Sequence, residues 1–279
     1  MFRQKLINMY LKSGFDRAEA IAEIDFLYDV VAGLGSKDIL MGSVPSKTCE
    51  DEILAIVKGR TTSRRPLQQL AGKAYFMGEV FAVNEHTLVP RPETELLVLE
   101  AKNAVEQLNR NVKILDIGTG SGCISVSLAK LCPQSNVLAV DISEKALNIA
   151  KQNAKDYGVS EKMEFKESDL FSNVEGKFDI IVSNPPYIPL SELENLQYEV
   201  KEFEPHGALF TKDELGIDFY ARIIDASGSY LNKGGFLLFE LGISQSALVK
   251  DLMLKKSFSE IRIVKDLNNI DRVILGKLN

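Results

Sequence analysis

Four short runs rich in β-branched and aliphatic residues, "VKILDI", "NVLAVD", "MEFKE" and "FDIIVS", fall between Val112 and Ser183, and helical segments opening at Ile124 and Glu144 separate the first three. No other feature constrains the fold so strongly. Parallel neighbours in a sheet need a long crossover connection, which helices supply, so the alternation predicts a parallel sheet with right-handed crossovers. A helix from Phe219 to Leu231, the strand "GFLLFEL", a helix from Ser246 to Lys255 and two closing runs, "EIRIVKD" and "RVILGKL", extend the pattern. Only the short "LNNID" turn separates the closing runs. They are therefore expected to pair as a hairpin and to place one antiparallel strand in a seven-stranded, mostly parallel α/β sheet.

The first 72 residues read differently. Ile21, Ile24, Leu27, Tyr28 and Val31 recur at helical spacing with charged residues between them, which predicts a small bundle of four or five short helices and no strand. Thr48 with Asp51 resembles a capping box opening the helix that carries Ile53, Leu54, Ile56 and Val57, with Gly59 as its stop. In "AYFMGEVFAVNEHTLVPRPETE", aromatic and β-branched residues flank Gly78, as in a hairpin, and Pro90 and Pro92 stiffen the exit. A helix from Glu93 to Leu108 follows. A chain of 279 residues exceeds one average domain. The expected division is a helical domain over 1–73, a hairpin linker over 74–92 and an α/β domain over 93–279.

A net charge of −6 argues against non-specific grip on nucleic acid, which relies on clustered Lys and Arg. Arg60, Arg64 and Arg65 in "KGRTTSRRPLQ" form a local basic cluster that reads as a solvated helix end and loop. Cys49, Cys123 and Cys132 are scattered and lack zinc-site spacing, so no metal and no disulfide framework are expected. With no secretory leader pattern and no apolar run of membrane-spanning length, the chain reads as a soluble cytoplasmic protein with no membrane partner.

The chemistry concentrates where strands end. "LDIGTGSGCISVSLA" follows the first strand and opens a helix, so the loop Gly118, Thr119, Gly120, Ser121 and Gly122 sits where open α/β sheets bind ligands, and its glycines let backbone approach a ligand closely. A dinucleotide fingerprint would put glycine at position 123, where this chain has Cys123. Asp141 ends the second strand, where a carboxylate can accept both hydroxyls of a ribose. That feature alone fits NAD and S-adenosylmethionine equally. Asp169, in "ESDLF" after the third strand, could accept a hydrogen bond from an adenine amine. The competing reading is an ordinary strand-to-helix turn with Asp141 or Asp169 capping a helix; the glycines and both acids at three successive strand ends favour the ligand site.

The fourth strand runs into "NPPYIP". Pro185 pushes Asn184 into extended backbone, and neither Pro185 nor Pro186 brings an N–H, leaving nearby carbonyls to accept hydrogen bonds. An –NH2 group conjugated to a carbonyl or ring is a poor nucleophile. The Asn184 side-chain oxygen and the Pro185 carbonyl could hold both its protons and aim its lone pair at an electrophilic methyl, with Tyr187 packed on the planar target. The nitrogen acidifies as it is alkylated, so no general base is required and His86 and His206 need no catalytic role.

Taken in order, "LVPRPETE", "GTGSG", "VDIS" and "NPPYIP" resemble the protein-(glutamine-N5) methyltransferases that modify peptide-chain release factors, over nearly the whole chain. The resemblance implies a Rossmann-like class I methyltransferase fold with a helical N-terminal domain, S-adenosylmethionine as cofactor and S-adenosylhomocysteine as product. It implies methyl transfer to the glutamine of the release factors' Gly-Gly-Gln loop, with Gly118 to Gly122, Asp141, Asp169, Leu170 and Asn184 at the cofactor and Asn184, Pro185, Pro186 and Tyr187 at the substrate. Many relatives carry tryptophan after the acid, where this chain has Leu170 followed by Phe171. A monomer acting on release factors, without stable nucleic-acid binding, is expected, and the helical domain is expected to dock on the body of the factor. Two alternatives remain at this stage: an adenine-N6 or guanine-N2 nucleic-acid methyltransferase, which would flip its base into the same site, and a non-catalytic module on the same scaffold.

Overall fold

A computed structural model describes residues 1–279. Five helices come first: α1 (Phe2–Lys12), α2 (Arg17–Ala32), α3 (Ser36–Leu40), α4 (Lys47–Ser63) and α5 (Leu67–Ala71). Strands β1 (Lys73–Phe76) and β2 (Glu79–Ala82) pair as a hairpin, and α6 (Thr94–Leu108) follows. Then come β3 (Val112–Ile117), α7 (Cys123–Leu131), β4 (Ser135–Asp141), α8 (Glu144–Asp156), β5 (Met163–Glu167) and β6 (Phe178–Ser183). Short elements β7 (Ile188–Pro189), α9 (Tyr198–Phe203), α10 (His206–Leu209) and β8 (Phe210–Thr211) precede α11 (Asp218–Tyr230), β9 (Leu231–Glu240), α12 (Ser246–Lys255), β10 (Phe258–Lys265) and β11 (Asp271–Leu278).

The chain forms two compact units: Met1–Ala74 with Gln197–Phe203, and Tyr75–Leu196 with Glu204–Asn279. In the first, Leu6, Tyr10, Ile24, Leu27, Ile53 and Val57 form the core. Helix α4 departs from its sequence pattern at both ends. Ser46, not Thr48, caps it, accepting from the Cys49 N–H at 3.3 Å. The helix also runs through Gly59 to Ser63, and Arg64 stops it in the left-handed region at φ 61°. Gly59 serves packing instead: a Cβ there would lie 3.3 Å from the Leu70 side chain.

The arginine cluster is not a solvated helix end. Arg60 is 5% exposed and meets Glu23 at 2.9 Å, Glu19 at 3.2 Å and Glu199 at 3.3 Å. Arg64 meets Glu199 at 3.0 Å, both Arg60 and Arg64 stack on the Phe15 ring, and Arg65 lies over Phe203. A buried guanidinium with three carboxylates around it is satisfied internally and is not offered to phosphate. These contacts, with Gln69 donating to the Phe203 carbonyl at 3.0 Å, make Gln197–Phe203 part of the helical unit although its numbers lie within the span expected for the α/β domain.

The second unit carries the seven-stranded sheet, in the order β10-β11-β9-β6-β3-β4-β5. Strand β11 is antiparallel to both neighbours, while β9, β6, β3, β4 and β5 are mutually parallel, as the sequence predicts. All six residues of β6 are buried. That is expected of a central parallel strand covered on both faces. Successive side chains alternate between two cores: Ile180 and Val182 pack with α6 and α7 residues such as Leu97 and Val126, and Ile181 packs with Tyr220 and Ile224 of α11.

Candidate active site

Strand register decides which residues meet. Ile117 of β3 pairs with Val140 of β4 on one side and Ser183 of β6 on the other, and Ser183 pairs in turn with Phe239 of β9. One residue further on, Gly118, Asp141, Asn184 and Glu240 lie side by side at the carboxyl edge of four adjacent strands. That edge is where an open α/β sheet receives ligands.

Gly118, Gly120 and Gly122 have φ of 73°, 57° and 78°, a region costly for residues with a side chain. Their surroundings differ. A Cβ on Gly118 or Gly120 would meet nothing within 4 Å, whereas one on Gly122 would come 2.9 Å from the Ala150 Cβ. The first two glycines therefore border open space, and the third lets α7 approach α8. Burial pushes the Cys123 thiol up to about 12, so this residue packs as a small apolar group.

Asp141 accepts one backbone N–H on each oxygen, from Gly120 and from Ser143, both at 2.9 Å. It does not cap α8; Ser143 does. Each oxygen keeps further acceptor capacity for a ligand hydroxyl. Beneath the loop, Asp116 is fully buried, and burial raises its carboxyl to about 7 against hydrogen bonds from Thr119 and Ser125. Thr119 donates to its Oδ2 at 2.6 Å, while Oδ1 and the nearby Ser121 Oγ are buried without a partner.

Asp169, after β5, has an exposed carboxylate that pairs with Arg222 of α11 at 3.1 Å. Leu170 sits in left-handed backbone at φ 50°, and the Phe171 ring stacks on Tyr230 at 4.5 Å in the core beneath α11. The structure thus brings together Gly118 to Gly122, Asp141 and Asn184, pairs Asp169 with Arg222 and packs Phe171 against Tyr230.

Around Asn184 the geometry adds groups that the sequence alone does not single out. The Asn184 Nδ2 donates to Glu240 Oε2 at 2.9 Å and lies 3.4 Å from Thr94 Oγ1. Thr94 donates to the same Glu240 oxygen at 2.6 Å, and the Tyr187 hydroxyl donates to the other at 3.3 Å. Glu240 is 2% exposed, and burial holds its carboxyl above the usual glutamate range against the hydrogen bonds from Thr94 and Tyr187. Burial and the Glu240 charge also push the Tyr187 phenol up, so it stays a donor.

The backbone of the loop is clamped as well. The Gln245 Nε2 donates to the Tyr187 carbonyl at 2.9 Å and to the Leu215 and Gly216 carbonyls at 3.1 and 3.2 Å, while its Oε1 accepts from the Gly242 N–H at 3.1 Å. Two glycines make room for this. A Cβ on Gly216 would lie 2.2 Å from the Tyr187 carbonyl oxygen, and one on Gly242 would lie 2.9 Å from the Tyr187 ring. Pairing of β7 with β8 anchors the chain just beyond. One signal for Glu240 was present in the sequence: an acid closing the buried run "GFLLFEL" has to be partnered.

A family model described as the methyltransferase small domain matches residues 93–199. Among curated proteins, the release factor glutamine methyltransferase of Geobacter sulfurreducens is 38% identical over 260 residues, spanning 92% of this chain and 89% of that protein. The protein of the same name from Chlorobaculum tepidum is 44% identical over 220 residues, 75% of this chain and 73% of its own length. Among solved structures, a methyltransferase from Pyrococcus furiosus shares the fold at TM-score 0.52 and 16% identity, covering 83% of this chain and 98% of that one.

Proposed function

The chain belongs to the release factor glutamine methyltransferase family, and from that premise we propose that its carboxyl-edge site moves a methyl group from S-adenosylmethionine to the side-chain amide nitrogen of the glutamine in a release factor's Gly-Gly-Gln loop. The observation that carries this reading is the register. It sets an open glycine cradle, a two-oxygen acceptor at Asp141 and the clamped amide of Asn184 on neighbouring strand ends.

The residues present fit the cofactor. Asp141 has acceptor capacity for the vicinal hydroxyls of a ribose, and Ile142 beside it, 68% exposed, offers an apolar face to a base. The open space at Gly118 and Gly120 admits a ligand against backbone, and the unpartnered Asp116 Oδ1 and Ser121 Oγ suit a donor-rich amino-acid end. When bound, S-adenosylmethionine supplies a sulfonium methyl whose S–C bond breaks as the N–C bond forms, leaving a neutral thioether.

Asn184 and Pro185 supply positioning. With Nδ2 committed to Glu240, the Asn184 Oδ1 faces away from the buried carboxyl, and the Pro185 carbonyl accepts no backbone hydrogen bond in the chain. Together they accept both protons of the substrate amide and turn its lone pair toward the methyl. The proton shed by the alkylated nitrogen passes from these acceptors to water. Tyr187, pinned at its hydroxyl by Glu240 and at its carbonyl by Gln245, walls the planar amide.

Incubating the protein with radiolabelled S-adenosylmethionine and total cell extract tests the reading. Label is expected on a protein of release-factor mass; label on DNA or RNA would refute it.

A further inference from the structure

We propose that Glu240 is a positioning residue for methyl transfer: by reaching Asn184 Nδ2 as an acceptor it fixes which end of the Asn184 amide faces the substrate. The proposal rests on the methyl-transfer reading above. A primary amide is nearly symmetric in shape but opposite in polarity at its two ends, and a half-turn about the last side-chain bond would present an NH2 where an acceptor is needed. That half-turn would set donor against donor at the substrate –NH2.

The neighbours leave Glu240 as the group that breaks this symmetry. Thr94 Oγ1 lies 3.4 Å from Asn184 Nδ2 and already donates its proton to Glu240 Oε2 at 2.6 Å. Glu240 Oε2, at 2.9 Å, is the well-placed acceptor for the amide. Glu240 is itself held from several sides. Tyr187 donates to its second oxygen at 3.3 Å, its own carbonyl accepts from the Tyr220 hydroxyl at 2.9 Å, and its strand position is fixed because Phe239, just before it, pairs with Ser183, just before Asn184. The acceptor thus lies in the rigid sheet and the amide it orients lies at the start of the loop.

Reach and acceptor character matter here, and charge does not. Glutamine at 240 keeps an oxygen for Asn184 and Thr94 and offers an NH2 to the Tyr187 oxygen, which can accept. Aspartate keeps the charge but withdraws the acceptor by one methylene. Glu240→Gln is therefore expected to keep kcat within about threefold of wild type, and Glu240→Asp to lose about 30-fold in kcat, the scale of a lost orienting contact. The KM for S-adenosylmethionine should move by less than about threefold in both, since in the strand order β9-β6-β3-β4 Glu240 lies across Asn184 from the glycine loop and Asp141.

The decisive arm is a double-mutant cycle with labelled cofactor and purified release factor. If Glu240 acts through Asn184, adding Glu240→Asp to Asn184→Ala costs less than about threefold more. Full additivity, an Asp variant as active as wild type, or a Gln variant as impaired as the Asp variant would overturn the proposal. Calorimetric titration of S-adenosylmethionine certifies each variant's fold; if Glu240→Asp fails it, Glu240→Met, which fills similar space and offers Asn184 no oxygen acceptor, replaces it, and an unchanged rate there overturns the proposal in the same way. Failure of the underlying reading looks different: wild type itself would leave the release factor unlabelled.

Discussion

Asp116 and Asp179 lie on adjacent strands of one sheet, both almost fully buried, one near the carboxyl end of β3 and the other near the amino end of β6. Asp179 is completely partnered: Arg110 at 2.6 Å, Asn232 at 2.7 Å and the Lys113 N–H at 2.9 Å share its two oxygens, and these contacts outweigh burial to hold its carboxyl below the usual aspartate range. Asp116 meets the Thr119 and Ser125 hydroxyls but keeps Oδ1 without a partner, and burial carries it up to about 7. A cavity of about 400 Å3 opens at the amino edge, beside the satisfied acid. The lesson is that a cavity does not by itself mark chemistry: the acid at the amino edge is fully partnered, whereas the carboxyl edge keeps polar groups unmet.

The sharpest way to break this contrast is at Asn184. Asn184→Ala should lower the single-turnover transfer rate by at least about 100-fold while cofactor affinity falls only modestly, because an orienting group is lost. A rate within a few-fold of wild type would remove the aimed-amide mechanism.

Next in size, Asp141→Ala should weaken S-adenosylmethionine binding by about 1.5 to 3 kcal/mol in a calorimetric titration, the worth of hydrogen bonds to a charged acceptor. Unchanged affinity in a folded variant would take Asp141 out of the site.

The two buried acids then give opposite signs for the same substitution. Folded Asp116 holds a proton that the unfolded chain has released, so its contribution is fully present below the ordinary aspartate range and is lost as pH rises toward about 7. Asp116→Asn escapes that loss. In cofactor-free denaturant titrations its stability relative to wild type should improve by about 2 kcal/mol between pH 5 and pH 8, and a flat difference would contradict the assignment. Asp179→Asn should do the reverse. Its depressed pKa means the stabilisation is present above the ordinary aspartate range and is lost only as pH falls below it. The variant should therefore be destabilised by about 1 to 2 kcal/mol at every pH from 5 to 8, with transfer activity unchanged.

How much of this was legible in the sequence follows the range of the interactions. Strand ends and the closing hairpin were readable because periodicity and turn residues are local; Ser246–Lys255 appears as read. The glycine loop, Asp141 and Asn184 were readable because each stands at the end of a recognisable strand. Glu240, Thr94 and Gln245 were not singled out, since their roles depend on pairing across β6 and β9 and on a helix start 90 residues before Asn184. Arg60 was misread for the same reason: Glu19, Glu23 and Glu199, which bury and satisfy it, are distant in sequence. Gly59 shows the converse, a helix-stop signal overridden by packing against Leu70.

The measurement that bears most directly on the carboxyl edge as the seat of methyl transfer is fragment mapping of the methyl group after reaction of purified protein, S-adenosylmethionine and whole release factor. The methyl is expected on the side-chain nitrogen of the Gly-Gly-Gln glutamine, absent from a release factor with that glutamine replaced and strongly reduced with Asn184→Ala enzyme. A methyl mapped to any other residue, or undiminished transfer by the Asn184→Ala enzyme, would contradict the account.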